Sequence, residues 1–268
     1  MSGSGYLFDN RDAEAGERFD ALSTLLDHWT TSHLDRLGVG EGWRCLEVGA
    51  GGGSIAGWLG ERVGGSGHVL ATDLEVRWLE DRVRAPNVEI RTLDLSVDPI
   101  PEGPFDLVHE RLVLVHVAER RSVLPRLVSS LRPGGWLLAE DFDASVVTNA
   151  FVDPETSPDD PRNRIATGIQ KILRQRGADP GFAHTLPTLF REIGLEQVGA
   201  DGYQVIDGGD TMRSLFRVNV EQAAEQLIQQ QVVEPHELSA FIDQLDSGVV
   251  RPSSPLLVSA WGRRPVDG

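Results

Sequence analysis

The chain has 268 residues, 40% of them hydrophobic, and a formal net charge of −16 at pH 7. That length suits one large α/β domain, or a domain with a cap, while the charge repels phosphate backbones and anionic lipid, so neither nucleic acid nor a membrane is an expected partner. Cys45 is the single cysteine, which excludes an internal disulfide and cysteine-built metal clusters.

Taken in order, the chain opens on MSGSGYLFDN, where the apolar triplet Tyr6, Leu7 and Phe8 is expected to fold back onto the protein. This start has no signal-peptide pattern, and no apolar run approaches the roughly 18 residues of a membrane helix, so a cytoplasmic location is expected. Residues 11–37 read as helix, with Phe19, Leu22, Leu25, Leu26 and Trp29 on one stripe. Gly38 and Gly40 lead into a short apolar strand at 44–48. A turn of Gly49, Gly51, Gly52 and Gly53 follows, where glycine reaches positive φ and admits a close approach of the backbone. Gly53 or Ser54 caps a helix over 55–63, whose N-terminal end suits an anionic group. A second strand, 68–72, places Asp73 at its C-terminal end, where a carboxylate accepts two hydrogen bonds from a ribose diol.

A short helix at 75–83 precedes Pro86, and a third strand at 87–93 runs into Asp94 and Leu95. After the proline-rich turn 99–104 comes a fourth strand, 105–109, followed by Glu110 and Arg111. His116 stands at the start of a helix over 117–131, which Arg132-Pro133-Gly134-Gly135 stops. The fifth strand begins at 136–139 and ends in Glu140-Asp141-Phe142-Asp143, on the same carboxyl edge as Asp73 and Glu110. Residues 151–164 are polar and proline-rich, a loop or linker. Helices are expected at 164–176, 185–193 and within 211–247, and strands at 195–206 and 256–261. The helices at 160–176 and 211–247 exceed what a minimal α/β nucleotide-binding unit needs and are expected to form a cap. Phe182, His184, Tyr203, Met212 and Phe216 are its candidate substrate contacts, with ordinary packing as the competing reading.

The strand, glycine turn, helix and second strand ending in an acid form a nucleotide-type unit. The dinucleotide fingerprint G-x-G-x-x-G needs a third glycine where Ser54 stands, and the observed pattern is Glu47-x-Gly49-x-Gly51-x-Gly53. The residues alone leave three readings: an S-adenosylmethionine (SAM) site, a nicotinamide dinucleotide site, or a ligand-free turn.

With Asp73, the FDLV of the fourth strand and the LRPGGWLL at 131–138, the pattern resembles the class I, Rossmann-like SAM-dependent methyltransferases of the small-molecule type. The resemblance is specific over 40–143 and weak over 195–206 and 255–263. It implies a seven-stranded α/β sheet of order 3-2-1-4-5-7-6 with the last strand antiparallel and helices on both faces. It also implies an N-terminal helical segment (1–40) over the cleft, a SAM-binding core (41–150), cap insertions (151–194 and 207–250) and last strands at 195–206 and 251–268. By the same resemblance, Glu47, Gly49, Ala50, Gly51 and Gly53 hold the amino-acid end of SAM, Asp73 and Leu74 the ribose, and Asp94 and Leu95 the adenine. Glu110 and Arg111 then face the cleft, Tyr6, Asn10 and His33 line it, and His116, His33 and Asp141 are candidate bases. No metal is expected, because the acid-plus-asparagine pattern of catechol-type enzymes is not evident. The implied activity is methyl transfer to a small-molecule acceptor, with S-adenosylhomocysteine as product. A SAM-binding protein without methyl transfer and a protein methyltransferase are the alternatives, and a homodimer through 211–247 stays open.

Overall fold

In the computed structural model, which describes residues 15–144, 157 and 159–266, the apolar run after Trp43 becomes β1 (Arg44–Val48) and lies at the centre of a sheet. It pairs in parallel with β2 (His68–Asp73) on one side and β4 (Phe105–Arg111) on the other. β3 (Val88–Thr92) extends β2, and β5 (Leu131–Asp143) extends β4. β7 (Leu256–Arg263) runs antiparallel between β5 and β6 (Glu196–Tyr203). The resulting order is β3-β2-β1-β4-β5-β7-β6. The order reverses between β1 and β4, and a doubly wound sheet opens its ligand crevice at that point, beyond the C-terminal strand ends.

Two boundaries differ from the expectation, for a local reason. β4 continues through Glu110 and Arg111, so both lie within the strand. The segment Arg132-Pro133-Gly134-Gly135 does not stop the preceding helix, α4 (Arg120–Ser130); it is a bulge inside β5. Phe105 pairs with Leu131 but Leu107 pairs with Trp136, leaving residues 132–135 opposite Asp106 alone. Gly134 takes φ +77° there, and the Arg132 guanidinium bonds the Asp106 carboxylate. Proline and glycine in a strand mark such irregularities.

Apolar residues from both faces of the sheet build the main core, with α2 (Ser54–Val63) and α4 on opposite sides. The helix expected at 185–193 is α6 (Leu186–Glu192), and its Leu186, Leu189 and Phe190 enter the sheet's own core instead of the cap. The cap is therefore α5 (Pro161–Gln175), α7 (Gly209–Gln229) and α8 (Pro235–Asp246), joined by a separate core of Ile165, Ile172, Val220, Leu227, Phe241 and Leu245. α1 (Ala15–Arg36) connects the two: Ala21, Leu25 and Leu26 pack on Met212 and Leu215 of α7 and on Leu257 of β7.

A buried polar network crosses the middle of the sheet. His109, on β4 and fully buried, sits between Glu47 on β1 and Glu140 on β5, with Nδ1 2.6 Å from Glu47 Oε2 and Nε2 3.4 Å from Glu140 Oε2. Glu140 also accepts hydrogen bonds from Thr30 Oγ1 of α1 and Ser259 Oγ of β7, both at 2.5 Å. Burial disfavours an imidazolium here, but the charge of Glu47 and the hydrogen bonds to both carboxylates outweigh it and raise the His109 pKa to about 10. Burial likewise works against the Glu140 carboxylate; the His109, Ser259 and Thr30 donors prevail and hold its pKa down to about 2. One cation thus serves two buried anions.

Removing the cation leaves both carboxylates buried without a counter-charge, which costs roughly 3–5 kcal/mol. His109→Ala is expected to lower unfolding stability by about that amount in urea titration; a loss below about 1 kcal/mol would show that the network does not hold the sheet.

Candidate active site

The glycine turn between β1 and α2 is imposed by backbone conformation and by crowding. Gly49 and Gly51 take φ +65° and +54°. A Cβ on Gly49 would lie 2.2 Å from Val113 Cγ2, and one on Gly51 2.9 Å from the Phe19 ring. Phe19 belongs to α1, so the N-terminal helix lies directly over the turn. Gly53, not Ser54, is the N-cap of α2; Ser54 Oγ instead donates to Asp27 Oδ1 on α1 at 3.2 Å.

Asp73 closes the turn from the neighbouring strand. Its Oδ2 accepts the Gly51 N–H at 2.8 Å and its Oδ1 the Glu75 N–H at 3.0 Å. The carboxylate lines a cavity of about 750 Å³. One end of that cavity is lined by Glu47, Gly49, Ala50, Gly51, Asp73, Leu74, Asp94 and Leu95. Of the expected cofactor residues, Gly53 and Glu110 do not line it. Asp94 Oδ1 accepts the Ser96 N–H at 2.9 Å, which shapes the loop after β3. Arg111 lines the cavity and holds α1, donating to Thr30 Oγ1 and Asp27 Oδ1, each at 2.9 Å.

Cap helices form the other end. α7 contributes Met212, Leu215, Phe216 and Asn219, α5 contributes Ile169, Gln170 and Leu173, and α1 contributes Arg18, Leu22 and Leu25. His116 lies between the two ends, in the 3₁₀ turn Leu114–His116 after β4. Burial, then the charges of Arg18 and Arg120, lower its pKa to about 4, so it is neutral at physiological pH.

The other proposed acids and bases lie elsewhere. His33 points away from the cavity: its Nδ1 lies 3.0 Å from the Trp29 carbonyl oxygen and its Nε2 2.7 Å from Asp201 Oδ1. A helix turn after Trp29 carries it onto β6 and β7, not over the cleft. Asp141 is fully buried beneath the 3₁₀ turn, accepting the Val115 N–H at 3.2 Å. Glu110, also fully buried, accepts the Val113 and Leu114 N–H groups at 3.1 and 3.2 Å. Burial raises the pKa of both carboxyls, and for Glu110 the charge of Asp141 adds to it. Through these bonds both carboxyls support the turn carrying His116.

Among the substrate candidates, Phe216 and Met212 line the cavity. His184 is exposed and paired with Asp143, Tyr203 stacks on Trp29 at 4.9 Å, and Phe182 is buried in the sheet core under Arg120. None of these three lines the cavity. Tyr6 and Asn10 lie outside the described residues. Sequence reading did not single out Arg18, His109, Thr30 or Asn219. Phe19 was visible as part of the apolar stripe on α1, but its contact with the glycine turn was not. Among the described residues no cluster of three or more metal-ligating side chains occurs, and no helix is long and apolar enough to cross a membrane.

A family model described as a methyltransferase domain matches residues 46–139. Methyltransferase str3 of Strobilurus tenacellus is 34% identical over 191 residues, covering 69% of this chain and 64% of the relative. Methyltransferase GfsG of Streptomyces halstedii is 33% identical over 191 residues, covering 69% and 60%. The chain therefore spans about six-tenths of the length of these relatives. Among solved structures, phosphoethanolamine N-methyltransferase 2 of Haemonchus contortus, in complex with phosphomonomethylethanolamine and S-adenosylhomocysteine, aligns with a TM-score of 0.60 at 15% identity. That alignment covers 99% of this chain and 61% of the other, and at that identity it is a likeness of fold.

The buried carboxyl pair gives a pH signature. A carboxyl whose folded pKa is raised confers its stability below the ordinary carboxylate range, and loses it as pH rises through the folded value. Asp141→Asn retains an acceptor oxygen for Val115 and removes one titrating group. The melting temperature of this variant is expected to gain on the parent's between about pH 5 and pH 8. A gap that stays constant with pH would mean that burial does not raise the pKa of Asp141.

Proposed function

Since the chain belongs to the class I SAM-dependent methyltransferase family, we propose that it transfers a methyl group from SAM to a small-molecule acceptor enclosed beneath its cap. The observation that carries this reading is the single cavity of about 750 Å³ that joins the glycine turn and strand ends to the walls of α5 and α7. A site of that size buries a small ligand on most sides.

The residues at the strand-end side suit SAM. The carboxylates lining the cavity there are Glu47, Asp73 and Asp94, matching a cofactor with an ammonium group, a ribose diol and an exocyclic amine. Asp73 would hold the diol, Asp94 and Leu95 the adenine, and Glu47 with the glycine turn the amino-acid end. When bound, SAM supplies an activated methyl group on a sulfonium, and transfer needs an in-line nucleophile more than it needs covalent chemistry from the protein. Phe19 and the rest of α1 cover the turn and keep water from it. Neutral His116, between the two ends of the cavity, takes the proton from an acceptor hydroxyl as the new bond forms. Asp141 and Glu110 act only through the turn that positions this imidazole.

Isothermal titration with SAM and with S-adenosylhomocysteine, followed by an assay for S-adenosylhomocysteine release, tests the reading. Binding of both at micromolar level with release is expected. Binding without release in the presence of any acceptor would leave a SAM-binding protein that does not methylate, and binding of neither would remove the cofactor assignment. Asp73→Ala is expected to weaken SAM at least tenfold, by loss of charge-assisted hydrogen bonds, and an unchanged affinity in the folded variant would overturn the role of Asp73. His116→Ala is expected to lower kcat by roughly 10²- to 10⁴-fold with little change in SAM affinity. It is also expected to abolish the acidic limb near pH 4 in the parent's rate profile; an unchanged kcat would remove His116 as the base.

A further inference from the structure

On α7, Met212, Leu215, Phe216 and Asn219 fall on one helical face and line the cavity. The first three are apolar, as are Ile169 and Leu173 facing from α5. Asn219 breaks that pattern. Asparagine is a mediocre residue for a helix interior because its amide competes for backbone hydrogen bonds. Here its Oδ1 is buried and has no hydrogen-bond partner among the described residues. A buried acceptor oxygen on an otherwise apolar wall gains by meeting a donor. The arrangement makes physical sense when the missing partner arrives with a ligand.

We propose that the Asn219 carboxamide is a specificity-determining contact for the acceptor. It recognises a hydroxyl on a largely apolar, uncharged molecule, at a position separate from the atom that is methylated. Two further observations narrow the class. Among the described residues, α5 and α7 place no carboxylate on the cavity wall, where Arg18 and Arg176 also stand, and Glu119 lines the cavity from the start of α4 instead, so these two helices offer a cationic amine no counter-charge. Gln222, one turn beyond Asn219, uses its Oε1 to accept from Arg18 Nη1 at 2.8 Å. That bond ties the same face of α7 to α1, so the amide is presented from a braced segment.

The inference rests on the methyl-transfer reading, and the test separates the two. The probes are naphthalene, 2-naphthol and 2-naphthylmethylammonium, titrated into protein saturated with S-adenosylhomocysteine. The naphthol is expected to bind at least tenfold tighter than either of the others. Asn219→Leu is expected to erase the preference over naphthalene while leaving S-adenosylhomocysteine affinity unchanged. A preference that survives in Asn219→Leu, a preference for the ammonium probe, or no naphthol binding at all would overturn the proposal. If S-adenosylhomocysteine itself does not bind, the methyl-transfer reading is what has failed, and the ligand-free protein then decides the role of Asn219. There, replacing an unpaired amide by leucine is expected to raise the melting temperature by roughly 2 °C or more. A fall would show that Asn219 serves the fold, not a ligand.

Discussion

Most of this molecule's geometry depends on one buried imidazolium. His109 stands between two carboxylates that belong to different strands, and those strands flank its own. Glu47 sits two residues before the glycine turn. Glu140 reaches Thr30 on α1 and Ser259 on β7. A single cation therefore fixes the register of four strands at the level where the sheet opens, and it fixes the helix above them. Desolvating three charged groups is expensive, and this arrangement persists because every carboxylate oxygen engaged has a close donor. With a pKa of about 10 on His109 and about 2 on Glu140, these two groups stay oppositely charged across the ordinary pH range. The buried carboxyls Glu110 and Asp141 are different in kind: burial raises the pKa of both, and neither lines the cavity.

α1 carries this constraint into the cavity. Near its start, Phe19 covers the glycine turn. In its middle, Leu22 and Leu25 form part of the cavity wall. Farther along, Thr30 and Asp27 receive the Arg111 fork. One helix thus touches the glycine turn, the cap and the strand end, so the cavity and the buried network share one wall. The surface pair Arg82–Asp20, 2.6 Å apart, adds little to this, because an exposed ion pair is screened by water.

How much of this could be read beforehand follows from the range of the interactions involved. The glycine turn and most strands were legible because strand periodicity, turn glycines and the acid ending β2 are local features, whereas the sheet order came from the family resemblance. Asp73 could be placed on the cavity from its position at a strand end, and Asp94 and Leu95 by the same resemblance. His33 was misplaced because helix phase decides its direction, and one turn carries it to Asp201 instead of the cleft. Asp141 and Glu110 were read as cleft acids since both stand at the carboxyl edge; the 3₁₀ turn that covers them has no strong sequence mark. The proline and glycines at 133–135 have the composition of a helix stop, and only the pairing of β4 with β5 shows that they form a bulge. His109 looked like an ordinary strand residue, since its meaning lies in two partners 62 and 31 positions away.

The separate core of the cap has an evolutionary consequence. Ile165, Ile172, Val220, Leu227, Phe241 and Leu245 pack on one another without help from the sheet, so a substitution on the cavity side of α5 or α7 leaves the centre of the cap in place. A lineage can in this way reshape one wall of the cavity and inherit the opposite wall, with its charged sheet network, unchanged.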